Sequence, residues 1–310
     1  LSEDVLRALV KVHKFNLTST MNEVNTKRLK HPKLVQLFNR FATYNGSNPY
    51  KAPGVLSIIP HLEHNQGAYF PQGGMHAITG ALVKLAKDLG VTFVFNQRVS
   101  EIRVTNGKAD GIQVNGEWLS ADLVVSNMDV VPTYRKLLKD QPTPERTLKQ
   151  ERSSSALIFY WGIADVFPEL DVHNILFTED YQKEFAALFD SKTVVGDPTV
   201  YIHISSKAAP EDAPAGCENW FVMINVPGNN GQDWDTIIPK ARKAILEKVS
   251  RILGRPIEPL IQNESILEPR LIEERTSSYT GALYGSSSNT PLSAFWRHPN
   301  FSQRIKNLYF

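Results

Sequence analysis

The chain has 310 residues, of which 42% are hydrophobic and 21% are charged, and its formal net charge is +2. That length accommodates one large domain or two modest ones. Because the net charge is small and the basic residues are dispersed, a nucleic-acid-binding protein is excluded. Cys217 is the single cysteine, which excludes an internal disulfide and a metal site built from thiolates.

The first residues contain no secretory leader, and no stretch reaches the roughly 18 apolar residues of a membrane-spanning helix. We therefore expect a cytoplasmic protein, or one that is peripheral to a membrane. The final residues, from Arg304 to Phe310, enter an apolar strand and stop inside it. Such residues would lack the neighbours that bury them, so we expect a truncated chain.

Residues 1–68 are predicted to be mainly helical. Leu6, Leu9 and Val10 recur at helical spacing, and so do the apolar residues of segment 34–41. The turn-forming residues 45–49 end the second of these helices.

Residues 69–130 carry the strongest local signals. Pro71-Gln-Gly-Gly74 precedes a helix whose apolar face runs from Met75 to Leu89 and which Gly90 is placed to end. The glycines allow the backbone to approach a ligand or another segment, or to form a plain tight turn. Residues 91–95 are rich in branched and aromatic side chains, which predicts a buried strand.

A β-meander is predicted next. Asn106-Gly107 and Asn115-Gly116 lie between alternating segments, and Asn-Gly favours the positive φ angles of a tight hairpin turn. Two such turns join three strands, the last containing Trp118 and Leu119. Residues 122–126 then form a short strand that we expect to be fully buried.

Residues 131–310 are predicted to contain a mixed sheet covered on one side by helices. The predicted strands are residues 155–162, 174–177, 199–205 and 220–226. A helix from about Pro239 to Leu253 follows, with Lys240, Lys243, Lys248 and Arg251 on a solvated face, and Gly254 is placed to end it. Together these elements indicate an α+β (mixed α/β) fold.

Two other classes of site are disfavoured. Pro60 argues against a helix that would align His61 with His64, so we expect no metal site there. A serine hydrolase of the α/β class needs Gly-x-Ser-x-Gly, and the nearest cluster, residues 285–288, lacks the second glycine.

Several stretches taken together resemble the carotenoid (phytoene-type) desaturases, a family of FAD-dependent oxidoreductases. They follow one another along nearly the whole chain: residues 38–49, 67–75, 197–201, 206–207 with 213–219, and 281–285. Residues 281–289 are closer to the branch that desaturates hydroxylated carotenoids at the 3,4 position.

The resemblance implies FAD as the cofactor of the parent enzyme, an oxidoreductase that converts C–C to C=C in a polyene. No Gly-x-Gly-x-x-Gly is present, so we expect a central fragment without the N-terminal Rossmann unit and the C-terminal flavin-binding segment. We expect this fragment to be inactive and not to bind FAD by itself. The resemblance implies one cofactor contact in this chain, between Val99 and the adenine ring of FAD.

The resemblance also assigns the segments and the substrate site. Residues 1–68 become the helical part of a substrate domain, 69–130 the FAD-side linker helix and meander, and 131–310 the substrate-binding sheet. An apolar polyene or lipid-like substrate is expected. Its predicted contacts are Tyr69, Phe70, Gly73, Gly74, Phe159, Trp161 and Phe221.

No catalytic residue and no metal ligand is assigned. Peripheral contact with a membrane, and a homodimer through apolar surface exposed by truncation, are the further partners considered. Two alternatives stay open: another flavin oxidase, related to amine or protoporphyrinogen oxidases, and a non-catalytic module that binds an apolar ligand.

Overall fold

The computed structural model describes residue 16, residues 18–290, residue 293 and residues 296–310. The predicted helix with Leu6, Leu9 and Val10 lies outside these residues. Two compact units are present. The first unit contains the described residues up to 67, residues 151–275 and the described residues of 280–295; the second contains residues 68–150, 276–279 and 296–310. The combination of helices and sheets confirms the α+β class.

The helices of the described residues are α1 (Met21–Arg28), α2 (Pro32–Asn39), α3 (Ile58–Gln66), α4 (His76–Asp88), α5 (Val130–Pro132), α6 (Glu145–Leu148), α7 (Tyr181–Ala186), α8 (Trp234–Leu253) and α9 (Pro269–Thr276). The strands are β1 (Val99–Thr105), β2 (Lys108–Val114), β3 (Glu117–Ser120), β4 (Val124–Val125), β5 (Ser155–Ile163), β6 (His173–Leu176), β7 (Val200–Ile204), β8 (Glu218–Val226), β9 (Ile261–Leu267) and β10 (Leu308–Tyr309). A 3₁₀ helix (Arg40–Asn45) continues α2, and single π-helical turns continue α5 and α7.

The first unit is built on a five-stranded sheet of order β6-β7-β8-β5-β9. All of its pairings are antiparallel, so the mixed sheet predicted from the sequence is wrong. Apolar and other residues alternate along β7 and β8, a pattern typical of antiparallel sheets with one packed face. The longest pairing joins β5 to β8, from Ser155 opposite Val226 to Ile163 opposite Glu218.

Helix α8 covers one face of this sheet. The core between them contains Phe159, Trp161 and Val222 from the strands, and Ile245 and Val249 from the helix. The predicted start of α8 at Pro239 is wrong by five residues, because Asp233 accepts a hydrogen bond from the backbone NH of Thr236 and caps the helix earlier. Gly254, at φ 70°, ends the helix as predicted.

The helical segment of the first unit begins with a capping box, in which Thr20 and Glu23 exchange hydrogen bonds with each other's backbone NH. The prediction that Pro60 would prevent a helix at His61 and His64 is wrong, since both residues lie in α3. Pro60 is in the first turn, where the NH that proline lacks has no intrahelical partner. Among the described residues, no group of three metal-ligating side chains is present.

The meander of the second unit is confirmed. Strands β1, β2 and β3 pair antiparallel, and Asn106, Gly107, Asn115 and Gly116 all have positive φ in the two turns. Strand β4 pairs in parallel with β10. Leu308 is buried there beside Ile305, so the expectation that the last apolar residues lack neighbours is wrong for Leu308.

Two predictions about burial in the second unit are wrong. Residues 91–95 form no strand, and Val94 and Phe95 are exposed. Strand β4 buries Val124 but exposes Val125. Both segments have strand-forming residues, but no described strand pairs with 91–95, and β4 pairs only with β10. Helix α4 is confirmed, yet its predicted apolar face is exposed, including Leu82, Leu85 and Leu89.

Lys248 is not on a solvated face as predicted, because only 4% of it is exposed. Its Nζ lies 2.7 Å from Asp197 Oδ1 and donates hydrogen bonds to the carbonyls of Phe177 and Pro198. The long apolar stem of lysine crosses the helix surface and delivers the charge to these acceptors. Lys248 therefore fastens α8 to the loops around β7.

We expect Lys248→Ala to lower the free energy of unfolding by about 2–3 kcal/mol, because it leaves two carbonyls and a carboxylate without their cation. Urea denaturation measures the change. Lys243→Ala on the same helix is the control: that side chain is 78% exposed, and its loss should change stability by no more than about 0.5 kcal/mol. Equal effects of the two substitutions would contradict the assigned role of Lys248.

Candidate functional site: the aromatic face of the sheet

The side of the five-stranded sheet opposite α8 carries a group of aromatic side chains. Tyr160 and Phe221 are edge-to-face at 5.5 Å between ring centroids, and Tyr201 and Phe221 at 6.2 Å. They alternate with core residues along β5, β7 and β8, because successive side chains of a strand point to opposite faces. We call Tyr160, Tyr201, Phe221, His173 and His203 the aromatic face.

The two histidines of this face stack on each other with ring centroids 5.0 Å apart. His173 Nδ1 and the hydroxyl of Tyr201 are in hydrogen-bond contact at 2.8 Å. Burial, and then the charge of His173, lower the pKa of His203, although Asp212 opposes the shift. Burial raises the pKa of Tyr201, against the effect of Arg40. The neutral forms of His203 and Tyr201 are therefore favoured on this face.

An open cavity of about 460 Å³ lies beside the aromatic face. Its apolar wall includes Tyr160 and Phe221, and its polar wall includes His203, Ser205 and Asn219. Asn219 Nδ2 donates to Ser205 Oγ at 2.7 Å, so the polar wall is held by its own hydrogen bonds. A cavity with mainly apolar walls and a few oriented polar groups is suited to a small organic ligand.

Arg40 places a buried positive charge in the same unit. Only 8% of it is exposed, and its Nη1 donates to Asn225 Oδ1 at 2.9 Å. Asn225 Nδ2 in turn donates to Ser154 Oγ. This chain of hydrogen bonds connects the helical segment to β8 and to the residue that precedes β5.

Tyrosines around Arg40 stay protonated near neutral pH. Burial, followed by the hydrogen bond to Glu63, raises the pKa of Tyr44, and Arg40 opposes this only in part. The Tyr44 hydroxyl donates to Glu63 Oε2 at 2.6 Å. Burial likewise raises the pKa of Tyr284 against the charge of Arg40. These hydroxyls can donate hydrogen bonds, but they are poor proton acceptors.

The predicted substrate contacts separate into three places. Trp161 and Phe221 line the cavity together, although the Trp161 ring lies in the core. Phe159 is fully buried on the α8 side and does not line the cavity. Tyr69, Phe70, Gly73 and Gly74 belong to the second unit.

The segment of the second unit that precedes α4 is strongly exposed, with 88% exposure at Tyr69 and 39% at Phe70. Gly73 and Gly74 have φ angles of 80° and 78°, so backbone conformation accounts for glycine at both positions. Their contact with a substrate stays a prediction.

The sequence reading missed Tyr160, Tyr201, His203 and Arg40. For Tyr201 and His203 the sequence contained a signal. Val200, Ile202 and Ile204 alternate with them along β7 and are buried, so Tyr201 and His203 lie on the other face of the sheet. Arg40 gave no such signal, because its burial depends on Asn225, which is 185 residues away.

Val99 begins β1, which is an edge strand of the meander. The pairing of β1 with β2 shifts register between Val99 and Glu101, so the backbone there leaves the regular ladder. An edge strand has backbone groups available on its outer side. This geometry fits the predicted contact between Val99 and the adenine ring of FAD, which stays a prediction.

Comparison with solved structures shows the class of fold. An oxidoreductase from Methanosarcina mazei matches with a TM-score of 0.67, at 18% identity, over 100% of this chain and 67% of that chain. Putrescine oxidase with bound putrescine matches with a TM-score of 0.60, at 11% identity, over 97% of this chain and 63% of that chain. The chain therefore has a fold found in oxidoreductases.

The family follows from the sequence comparison. The model of the flavin containing amine oxidoreductases matches residues 4–310, and the chain belongs to this family. Its cofactor class, flavin, agrees with the prediction made from the sequence.

Two curated relatives are similar over nearly the whole chain. A 1-hydroxycarotenoid 3,4-desaturase from Flavobacterium sp. (strain P99-3) is 54% identical over 99% of this chain and 63% of its own length. A 4,4'-diaponeurosporene oxygenase from Staphylococcus aureus is 32% identical over 99% of this chain and 64% of its own length. The predicted resemblance to carotenoid desaturases is confirmed. The chain spans less than two thirds of the length of these relatives.

We expect the stability of the first unit to fall as the pH drops below 6.5, the usual pKa of histidine. Because the folded pKa of His203 is lowered, the stability contributed by its neutral form is complete above 6.5 and is lost as the pH falls through the folded pKa. Urea denaturation at pH 7.5 and 5.5 measures the loss, which His203→Gln should reduce. His61→Gln, at an exposed position of α3, is the control; a pH dependence unchanged by His203→Gln would refute the assignment.

Proposed function

We propose that this chain is the substrate-holding part of an FAD-dependent carotenoid desaturase that acts on a 1-hydroxycarotenoid at the 3,4 position. The observation that carries the proposal is the 54% identity over 99% of the chain to an enzyme of that name. The aromatic face, the cavity beside it and the exposed apolar surface of the second unit support it.

The aromatic face suits a conjugated polyene. Tyr160, Tyr201 and Phe221 offer ring faces and edges, and such groups bury a large apolar area against a flat hydrocarbon. The raised pKa of Tyr201 keeps its ring neutral, which avoids burying a phenolate beside a hydrocarbon.

The polar wall of the cavity suits the hydroxyl end of such a substrate. His203, Ser205 and Asn219 present nitrogen and oxygen atoms next to the aromatic ring of Phe221. A hydroxyl group would exchange hydrogen bonds with these atoms and fix which end of the polyene lies there.

FAD, when bound, takes up the two hydrogen atoms that a C–C bond loses as it becomes C=C. We assign the contact with its adenine ring to Val99. Because no Gly-x-Gly-x-x-Gly is present, tight binding of FAD needs additional polypeptide. The exposed apolar side chains of α4 and residues 91–95 fit a surface that such polypeptide covers.

The same apolar surface is the place where a homodimer would form if it were left uncovered. Among the described residues, no helix combines the length and the apolarity needed to cross a bilayer. We place the protein in the cytoplasm in peripheral contact with a membrane, since its proposed substrate dissolves in lipid.

An oxygenase acting on a polyene is the second candidate, favoured by the 32% identity to the diaponeurosporene oxygenase. An amine oxidase is disfavoured, because the carboxylate of the cavity that could pair with a protonated amine is already engaged. Glu264, the acidic residue that lines the cavity, is paired with Arg242 at 2.9 Å.

The reaction is tested with FAD and the complete polypeptide that contains this chain. A 1-hydroxycarotenoid should lose two hydrogen atoms, measured by mass spectrometry, and gain one conjugated double bond, measured by absorbance. A product that has gained oxygen would support the oxygenase instead, and no turnover of any polyene would reject both. This chain alone should show no flavin absorbance after purification in the presence of FAD.

Phe221→Ala should weaken binding of a 1-hydroxycarotenoid by about tenfold, because it removes the ring at the centre of the aromatic face. Quenching of tryptophan fluorescence by the polyene in detergent measures the affinity. Val166→Ala, at an exposed apolar position outside the cavity, should bind as the unchanged chain does. Equal affinities of the two variants, with unchanged circular dichroism, would reject the assigned substrate surface.

A further inference from the structure

The second unit contains a cavity of about 520 Å³ that is separate from the aromatic face. Its wall is formed by residues of α6 and by the segment from Trp296 to Arg304. Arg146, Arg297 and Arg304 all line it, and among the described residues no aspartate or glutamate does. We call it the arginine cavity.

The acidic residue next to Arg146 in the sequence does not neutralise the positive charge of this cavity. Glu145, which precedes Arg146, pairs with Arg135 at 2.7 Å. Hydrogen bonds from Arg135 and then Thr143 lower the pKa of Glu145 to about 2. The carboxylate is therefore ionised and bound to a cation that does not line the cavity.

Arg146 is held in place without losing its charge. Its guanidinium lies over the ring of Trp296, 4.8 Å from the centroid, in a cation–π contact that orients the group. Gln150 Nε2 donates to the carbonyl oxygen of Trp296 at 2.7 Å and fixes this part of the wall. A guanidinium oriented in advance gives up less side-chain entropy when it binds a ligand.

The rest of the described wall is neutral, and two of its side chains, Tyr134 and His298, are in hydrogen-bond contact with each other. The His298 Nδ1–H donates to the carbonyl of Pro299 at 2.7 Å, which leaves Nε2 to accept from the hydroxyl of Tyr134 at 3.2 Å. Burial lowers the pKa of His298, so the neutral ring is favoured. The positive charge of the cavity is therefore that of its arginines.

We propose that the arginine cavity binds the phosphate or diphosphate group of an anionic ligand. The planar guanidinium matches the oxygens of phosphate in bidentate hydrogen bonds. Arg146 and Arg304, in a described wall that contains no carboxylate, suit an anion of more than one negative charge. The half-exposed Trp296 offers a ring surface beside that charge for the apolar part of the ligand. The group belongs either to a soluble phosphate ester or to a lipid head group.

Two binding measurements on the whole chain test the proposal. Titration calorimetry with inorganic diphosphate in chloride buffer probes a soluble phosphate. Co-sedimentation with phosphatidylglycerol vesicles, against phosphatidylcholine vesicles, probes a lipid head group. The variants are Arg146→Gln and Arg304→Gln, and Arg251→Gln on α8 is the control with the same change of charge at an exposed position.

Saturable binding of diphosphate that each cavity variant weakens by about tenfold or more, with Arg251→Gln unaffected, supports a soluble phosphate ester. Binding to phosphatidylglycerol vesicles alone, lost in the same two variants, supports a lipid head group. The proposal is overturned if neither probe binds, or if the cavity variants bind as tightly as Arg251→Gln. Thermal melting of each variant checks that its fold is kept.

Discussion

The antiparallel pairing of β5 with β8 is the constraint on which the first unit depends. It runs from Ser155 opposite Val226 to Ile163 opposite Glu218 with no break in register. A shift by one residue would move every side chain of a strand to the other face. The register of this pairing therefore places Phe159 and Trp220 on the face that packs against α8, and Tyr160 and Phe221 on the aromatic face.

Polar anchors keep the layers of the first unit in place around this pairing. Lys248 ties α8 to the carbonyls near β7, and Arg40 ties the helical segment to Asn225 of β8. Buried charges of this kind need complete hydrogen bonding, because an unpaired ion in the interior is strongly destabilising. They also specify one arrangement of layers, which apolar packing alone leaves less defined.

Much of the fold could be predicted from the sequence, because it depends on local chemistry. The two Asn-Gly turns and the glycine at the end of α8 act through their nearest neighbours, and each is present. Features that depend on long-range contacts could not be predicted from the sequence. The burial of Lys248 and the pairing of the polar edge strand β9 both depend on distant segments. Strand β9 reads Ile-Gln-Asn-Glu-Ser-Ile-Leu, which has little strand character until β5 pairs with it.

Strands β4 and β10 draw together parts of the chain that are far apart in sequence. Asn307 Nδ2 donates to the carbonyl of Asp122 across 185 residues, and Ile305 and Leu308 complete the core that contains Val124. All five strands of the sheet of the first unit are synthesised between these two segments. On the ribosome, the sheet beneath the aromatic face can assemble while the meander still waits for its last partner, so the order of synthesis favours folding of the first unit before the second.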